Sequence, residues 1–300
     1  MADTSGMADI RGLNIDKLVK GFADETLLMK KFVTNSSTDA REVRWFQKTS
    51  GFLAGTTTTD LTLEPIIDVP ERALPSVVEQ SWTRNTSYVR KYFVESPMFS
   101  MEDLKDTDVD ILATNIRDLV RAVSNQVDKE IYWIVSDSTT HGTPASGSSV
   151  PSAAAVADGW DDAVTGDPIA DIMAAKTSIR QNNYDPEGAI MLLNPIDHAN
   201  LLNYLINVKG SSIPNFSSEK VKTGVVMELL GVRIVVSNQF DTDYATVFVP
   251  QRTATWKSFT GLTSAVMDDP GIGKKIRVWE EGVCLLTDPN AAYVITDTVV

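Results

Sequence analysis

The stretch SMEDLKDTDVDILATNIRDLVRAVSNQVDKEIYWIVSD, Ser100 to Asp137, decides how the rest of the chain is read. Ser100 followed three residues later by Asp103 acts as a capping box, and Asp106, Asp108 and Asp110 crowd the first turns. Negative charge there suits the positive end of a helix dipole. Val109, Leu112, Ile116, Leu119, Val123, Val127, Ile131 and Ile134 then recur at intervals of three or four, one apolar stripe. The spacing predicts a single helix over 100–137, about 50 Å long at 1.5 Å per residue. Such a helix is a beam for other elements to lie across, and it matches no enzyme pattern.

Composition narrows the classes. At 300 residues and 43% hydrophobic, the chain can bury one large core or two modest ones. Its single cysteine, Cys284, excludes an intrachain disulfide framework, so packing alone must hold the fold. No apolar run reaches the length of a membrane span. Met1–Met7 carries no basic segment followed by an apolar core, so folding in a reducing cytoplasm is expected. The net charge of -13 argues against a nucleic-acid reader, which needs clustered Lys and Arg to neutralise phosphates. The nearest to a basic cluster, Lys274-Lys275 with Arg277, reads as a strand edge.

Outward from the helix, the pattern is α+β. Ile15–Phe32 offers a short amphipathic helix, and Glu42–Lys48 alternates as a strand until Gly51-Phe-Leu-Ala-Gly55 breaks it. Leu61–Val69 reads as extended, and Val77–Val94 is rich in β-branched and aromatic residues. Nothing in 40–95 makes a core of its own. It reads as a two-stranded flap, and an isolated hairpin is marginally stable in water, so it needs a partner surface.

After the long helix, His141–Pro151 is a loop by composition. Asp167-Pro168 and Asn194-Pro195 each open a helix, with Gly188–Leu193 a buried strand between them. Gly231–Val236, Ala245–Val249, Lys275–Glu280, Val283–Leu286 and Tyr293–Thr296 read as strands, the last of them packing back on the long helix.

Candidate chemistry is sparse. Asp197-His198 is the nearest to a metal or proton-shuttle pair, but adjacent helical residues point about 100° apart, so a surface pair is expected. Cys284, in Val283-Cys-Leu-Leu286, reads as a small buried hydrophobe. Asp158-Gly-Trp-Asp-Asp162 lacks the alternating spacing of a calcium loop and reads as a solvated acidic loop. Gly271-Ile-Gly273 lacks the later glycine of a phosphate cradle and reads as a turn before a strand. No catalytic, cofactor-binding or metal residue is assigned.

Three segments carry a resemblance: the acidic opening Ser100–Asp106, the strand-then-helix Gly188–Pro195, and Leu229–Ser237. Their order and spacing resemble the major capsid protein of tailed double-stranded DNA phages, the Hong Kong 97 (Johnson) fold. The resemblance implies an N-terminal arm at 1–40 and an extended two-stranded loop at 41–95. It implies a peripheral domain of 96–150 with 245–300, including the spine helix, and an axial domain at 151–244. The implied role is a structural, non-enzymatic subunit that self-assembles as hexamers and pentamers into an icosahedral shell around DNA. DNA would be enclosed without sequence-specific binding, assembly would take place in the host cytoplasm, and the final location would be the virion, not a membrane.

Scaffolding, portal and decoration proteins are the further partners the resemblance implies; the scaffold would be a separate protein or an already removed segment. Trp45, Phe46, Phe52, Leu53 and Trp82 are the candidate contacts between subunits, with local packing as the competing reading. Some members weld subunits through a loop lysine and an asparagine. Here Lys48 and Asn290 are the nearest matches, but no lysine lies between Lys48 and Lys91, so no cross-link is expected. Rival readings are an encapsulin-type nanocompartment shell and a soluble α/β enzyme.

Overall fold

A computed structural model of the chain describes residues 29–50, 70–74, 81–106, 111–136, 150–155, 158–162, 165–208 and 228–299. A 3-10 turn at Met29–Lys31 leads into β1 (Thr34–Ser37), β2 (Glu42–Ser50), β3 (Ser81–Tyr88), β4 (Arg90–Glu95) and β5 (Phe99–Ser100). Helices α1 (Met101–Asp106) and α2 (Ile111–Ser136) follow, then β6 (Ser152–Ala154), α3 (Pro168–Gln181), β7 (Ile190–Leu193) and α4 (Pro195–Asn203). A π-helical turn continues α4 at Tyr204–Val208. The remaining strands are β8 (Glu228–Leu229), β9 (Val232–Val236), β10 (Tyr244–Phe248), β11 (Ala254–Asp269), β12 (Gly273–Leu286) and β13 (Ala292–Thr296).

The spine is helical on both sides of 107–110, which lie outside the described residues. Ser100 ends β5 immediately before Met101, the first helical residue, so the helix starts where the capping signal put it. The 26 residues of α2 span about 39 Å. The stripe residues Val123, Val127, Ile131 and Ile134 are all buried.

Two sheets flank this helix. A five-stranded sheet runs β1-β11-β12-β4, with β5 also on β12, and a six-stranded sheet runs β6-β13-β10-β7-β9-β8. Val123 packs with Ile276 and Val278 of β12, while Val127, Ile131 and Val135 join Trp256, Leu286, Leu192, Phe248 and Val294 in one core that touches both sheets. The six-stranded sheet is covered on its other face by α3 and α4, where Ile172, Ile179 and Leu201 meet Met191, Leu193 and Val247. That double burial explains why Ile190-Met-Leu-Leu193 is apolar at every position.

Strand pairing crosses the expected segments in three places. Thr34–Ser37, expected in the arm, forms β1 and pairs in parallel with β11. Arg90–Glu95, expected in the flap, pairs with β12 instead, so the hairpin is β2 and β3 alone. Tyr244–Phe248 and Ala292–Thr296, expected in the peripheral domain save for Tyr244, hydrogen-bond in the same sheet as β7. The reason is burial: Ala245 and Ile295 face α3 and α4, while Phe248 and Val294 face α2, so both strands need a cover on each side. The two tail strands expected at 275–280 and 283–286 are one continuous β12. Of the helix expected at 15–32, residues 15–28 lie outside the described residues and Met29–Lys31 is the 3-10 turn.

Candidate assembly interface

Opposite residues of an antiparallel pair share a face, and neighbours along a strand alternate. The β2–β3 register, Glu42↔Tyr88, Arg44↔Thr86 and Phe46↔Arg84, therefore gathers these residues on one side of the hairpin, with Trp82 two residues before Arg84 on the same side. Val43↔Ser87 and Trp45↔Asn85 fall on the other. Burial separates the two. Phe46 is 64% exposed, Trp82 56% and Tyr88 66%, whereas Asn85 and Ser87 are buried and Trp45 is half-buried. The outer face thus alternates large aromatics with the guanidinium groups of Arg44 and Arg84, both exposed.

The structure accordingly divides the expected contact residues. Phe46 and Trp82 stand on the exposed face, and Trp45 lies on the inner one with its indole nitrogen buried. Phe52 and Leu53 lie outside the described residues. Tyr88, Arg44 and Arg84 were missed, although the period of two that places Phe46 outward places Arg44 outward as well.

The root of the hairpin is fixed by ion pairs to the beam and the five-stranded sheet. Glu281, buried on β12, faces Arg41 at 3.7 Å and Lys91 at 3.5 Å, and Glu130 of α2 pairs with Arg90. Arg41 also lies 5.0 Å over the Phe259 ring. The Val89 amide donates to the Arg41 carbonyl at 2.9 Å, closing the ladder at its base.

Elsewhere the candidate chemical groups serve packing. Asp197 is buried, against the expected surface pair with His198, because α4 turns it inward to accept from the Thr298 hydroxyl at 2.9 Å. Burial pushes its carboxyl up to about 6. Cys284 is buried, and desolvation raises its thiol. In the acidic loop, Asp158 and Asp161 are exposed, but Trp160 is buried and donates from Nε1 to Asp171 Oδ2 at 2.7 Å. Among the described residues no cluster of three or more His, Cys, Asp or Glu is arranged to hold a metal ion, and no helix is long and apolar enough to cross a membrane. His141 lies outside the described residues.

Comparison with known proteins places this architecture. A sequence model of the phage capsid protein family matches residues 98–295, from β5 through β13. A structure from Mycobacterium phage Che8 superposes with a TM-score of 0.66 at 16% identity, covering 100% of both chains. The capsid of a native GTA particle gives 0.64 at 11% identity, covering 99% of this chain and 100% of that one. A virus-like particle from Pyrococcus furiosus gives 0.56 at 12% identity, over 90% and 92%. No curated protein sequence matches the chain. The fold is therefore of the Hong Kong 97 type. The chain belongs to the phage capsid protein family and is a structural subunit that assembles with its own copies into a shell.

Proposed function

We propose that this subunit assembles as hexamers and pentamers into an icosahedral shell around double-stranded DNA, with the outer face of the β2–β3 hairpin as a principal contact between subunits. The observation that carries the reading is that face itself: Phe46, Trp82 and Tyr88 are exposed beside Arg44 and Arg84 on a hairpin rooted by Glu281 and Glu130. Exposed aromatics interleaved with arginines are the residue types that dominate binding energy at protein interfaces. α2 and the five-stranded sheet form the peripheral domain in this reading, and the six-stranded sheet with α3 and α4 the axial domain. The subunit performs no catalysis. Assembly in the host cytoplasm, with scaffolding, portal and decoration proteins as partners, completes the reading.

The test is electron microscopy with sedimentation of the wild-type chain and of Phe46→Asp and Trp82→Asp. Wild-type shells are expected, with each variant remaining as folded, unassembled subunits. Shells formed equally well by both variants would place the contact elsewhere. Nuclease-protected DNA inside shells made in infected cells supports a genome container; protein cargo in its place supports a nanocompartment.

A further inference from the structure

Two consecutive residues of the Met29–Lys31 turn are fastened by two buried carboxyl groups from different elements. The Met29 amide donates to Asp128 Oδ1 of α2 at 2.9 Å, and the Lys30 ammonium pairs with Glu280 Oε1 of β12. Asp128 is 1% exposed and Glu280 2%. The second oxygen of each, Asp128 Oδ2 and Glu280 Oε2, is buried without a hydrogen-bond partner among the described residues. Met29 itself is fully buried over this cluster, against α2 and Trp256.

Two carboxylates facing one ammonium leave a negative charge uncompensated among buried side chains, a costly arrangement. Tyr92 of β4, opposite Glu280 in register, is half-buried and its hydroxyl is pushed up by burial, so it adds no charge; the neighbouring charged groups on the packed elements are engaged elsewhere. Glu130 holds Arg90, Glu281 faces Lys91 and Arg41, Glu95 holds Arg277 and Lys275, and Lys129 lies over Trp133. Among the described residues, Lys30 and Glu280 act by charge on Asp128, with opposite signs. One retained proton cancels the excess charge. Burial first, and the Glu280 charge in addition, push Asp128 up to about 7, against the Met29 amide and Lys30.

We propose that the Met29–Lys31 turn is held on the spine helix by a proton-linked latch, closed while Asp128 carries a proton beside Glu280 and loosened when that proton passes to solvent. Opening of the turn uncovers Asp128, whose affinity for the proton then falls to that of an exposed aspartate. A native group with a raised carboxyl pKa stabilises the closed form fully at low pH, and that contribution is lost as pH rises to the raised value. The open population therefore climbs by up to about tenfold per pH unit and levels above about pH 7. The pairing of β1 with β11 is not part of the latch, so only the turn is released.

Hydrogen exchange of the Met29 and Phe32 amides, followed from about pH 5 to about pH 8 and corrected for intrinsic rates, reads the latch directly. The Phe32 amide donates to the Met29 carbonyl at 2.9 Å, so both report the same opening. Wild-type protein is expected to show the climb and the plateau, and Asp128→Asn a flat profile. A flat wild-type profile, or a slope that survives in Asp128→Asn, overturns the proposal. Should that variant fail to fold, Lys30→Met, altering a partly exposed side chain, is expected to move the plateau to higher pH, and an unmoved plateau counts against the latch. Infrared difference spectra of the wild type give an independent reading: loss of a protonated-carboxyl band as pH passes about 7 is expected, and its absence overturns the assignment.

Discussion

Gly282 of β12 lies flat against the Trp256 indole of β11: a methyl group added there would overlap Cζ2 and lie 2.9 Å from both Cε2 and Cη2. Trp256 is fully enclosed, with Tyr92 at 6.4 Å between ring centroids and Lys30 5.3 Å over its ring. Neither the strand backbone nor the core can yield easily. Gly282→Ala is expected to destabilise the subunit by about 1–3 kcal/mol through overpacking, measured by urea unfolding of unassembled protein. Wild-type stability in the variant would mean that the indole can slide.

Glu281 is the acidic pivot of the hairpin root, and both of its cationic partners, Arg41 and Lys91, are exposed at their heads. Exposed ion pairs are screened by salt. Glu281→Gln is expected to speed exchange of the Val89 amide severalfold at low ionic strength, and added salt should have less effect on the variant than on the wild type. Equal salt sensitivity in both proteins would assign the root to backbone pairing alone.

Asp197 gives a second proton linkage, separate from that of the Met29 turn's carboxyls. Burial raises it from the ordinary 3.8 to about 6; the Thr298 hydroxyl and the Asp243 amide oppose the rise, and the charges of Asp243 and Asp161 add to it. The folded state therefore holds this proton more tightly than the unfolded chain. Its contribution is complete below about pH 4, declines as pH rises to about 6, and is constant above. Asp197→Asn is expected to remove a slope of up to about 1.4 kcal/mol per pH unit in that window, read from denaturation midpoints across pH. An unchanged slope would place the titration on other groups.

Trp160 joins the loop before α3 to that helix through the 2.7 Å bond to Asp171, and its own amide donates to the Thr298 carbonyl. Trp160→Phe keeps an aromatic ring but deletes the indole donor. A hydrogen bond to a charged group contributes about 1.5–3 kcal/mol, and a loss of that size is expected in urea unfolding. A loss below about 0.5 kcal/mol would show that the buried carboxylate finds another donor.

What the sequence made legible was local. Asp167 and Asn194 announced their helices because cap chemistry acts within a few residues: their side chains accept from the amides of Ala170 and Ile196. The stripe of α2 was readable from periodicity, and β7 from a short all-apolar run bounded by Gly188 and Asn194-Pro195. The strand Ala254–Asp269 was not, because it is largely polar and half-exposed, and register shifts at Ser258–Thr260 and Thr260–Thr263 break its alternation. Nor does any local pattern say that β4 must pair with β12, about 180 residues later. At the hairpin, composition pointed to Trp45 and Phe46 together, yet a period of two sends adjacent side chains to opposite faces. The carboxyl cluster of Asp128 and Glu280 was invisible, since its members come together only in three dimensions.

The dependence of the hairpin root on β12 has a consequence for biosynthesis. Translation delivers Arg41, Arg90 and Lys91 long before Glu281, so a nascent chain carries its aromatic strands with no acidic pivot to aim them. Domains fold as units as the ribosome supplies their strands. The five-stranded sheet closes only after Gly273–Leu286 has been made. Prematurely terminated chains lack that pivot, and if the hairpin is the contact between subunits they are expected to stay out of growing shells, which would make completion of synthesis a checkpoint on incorporation.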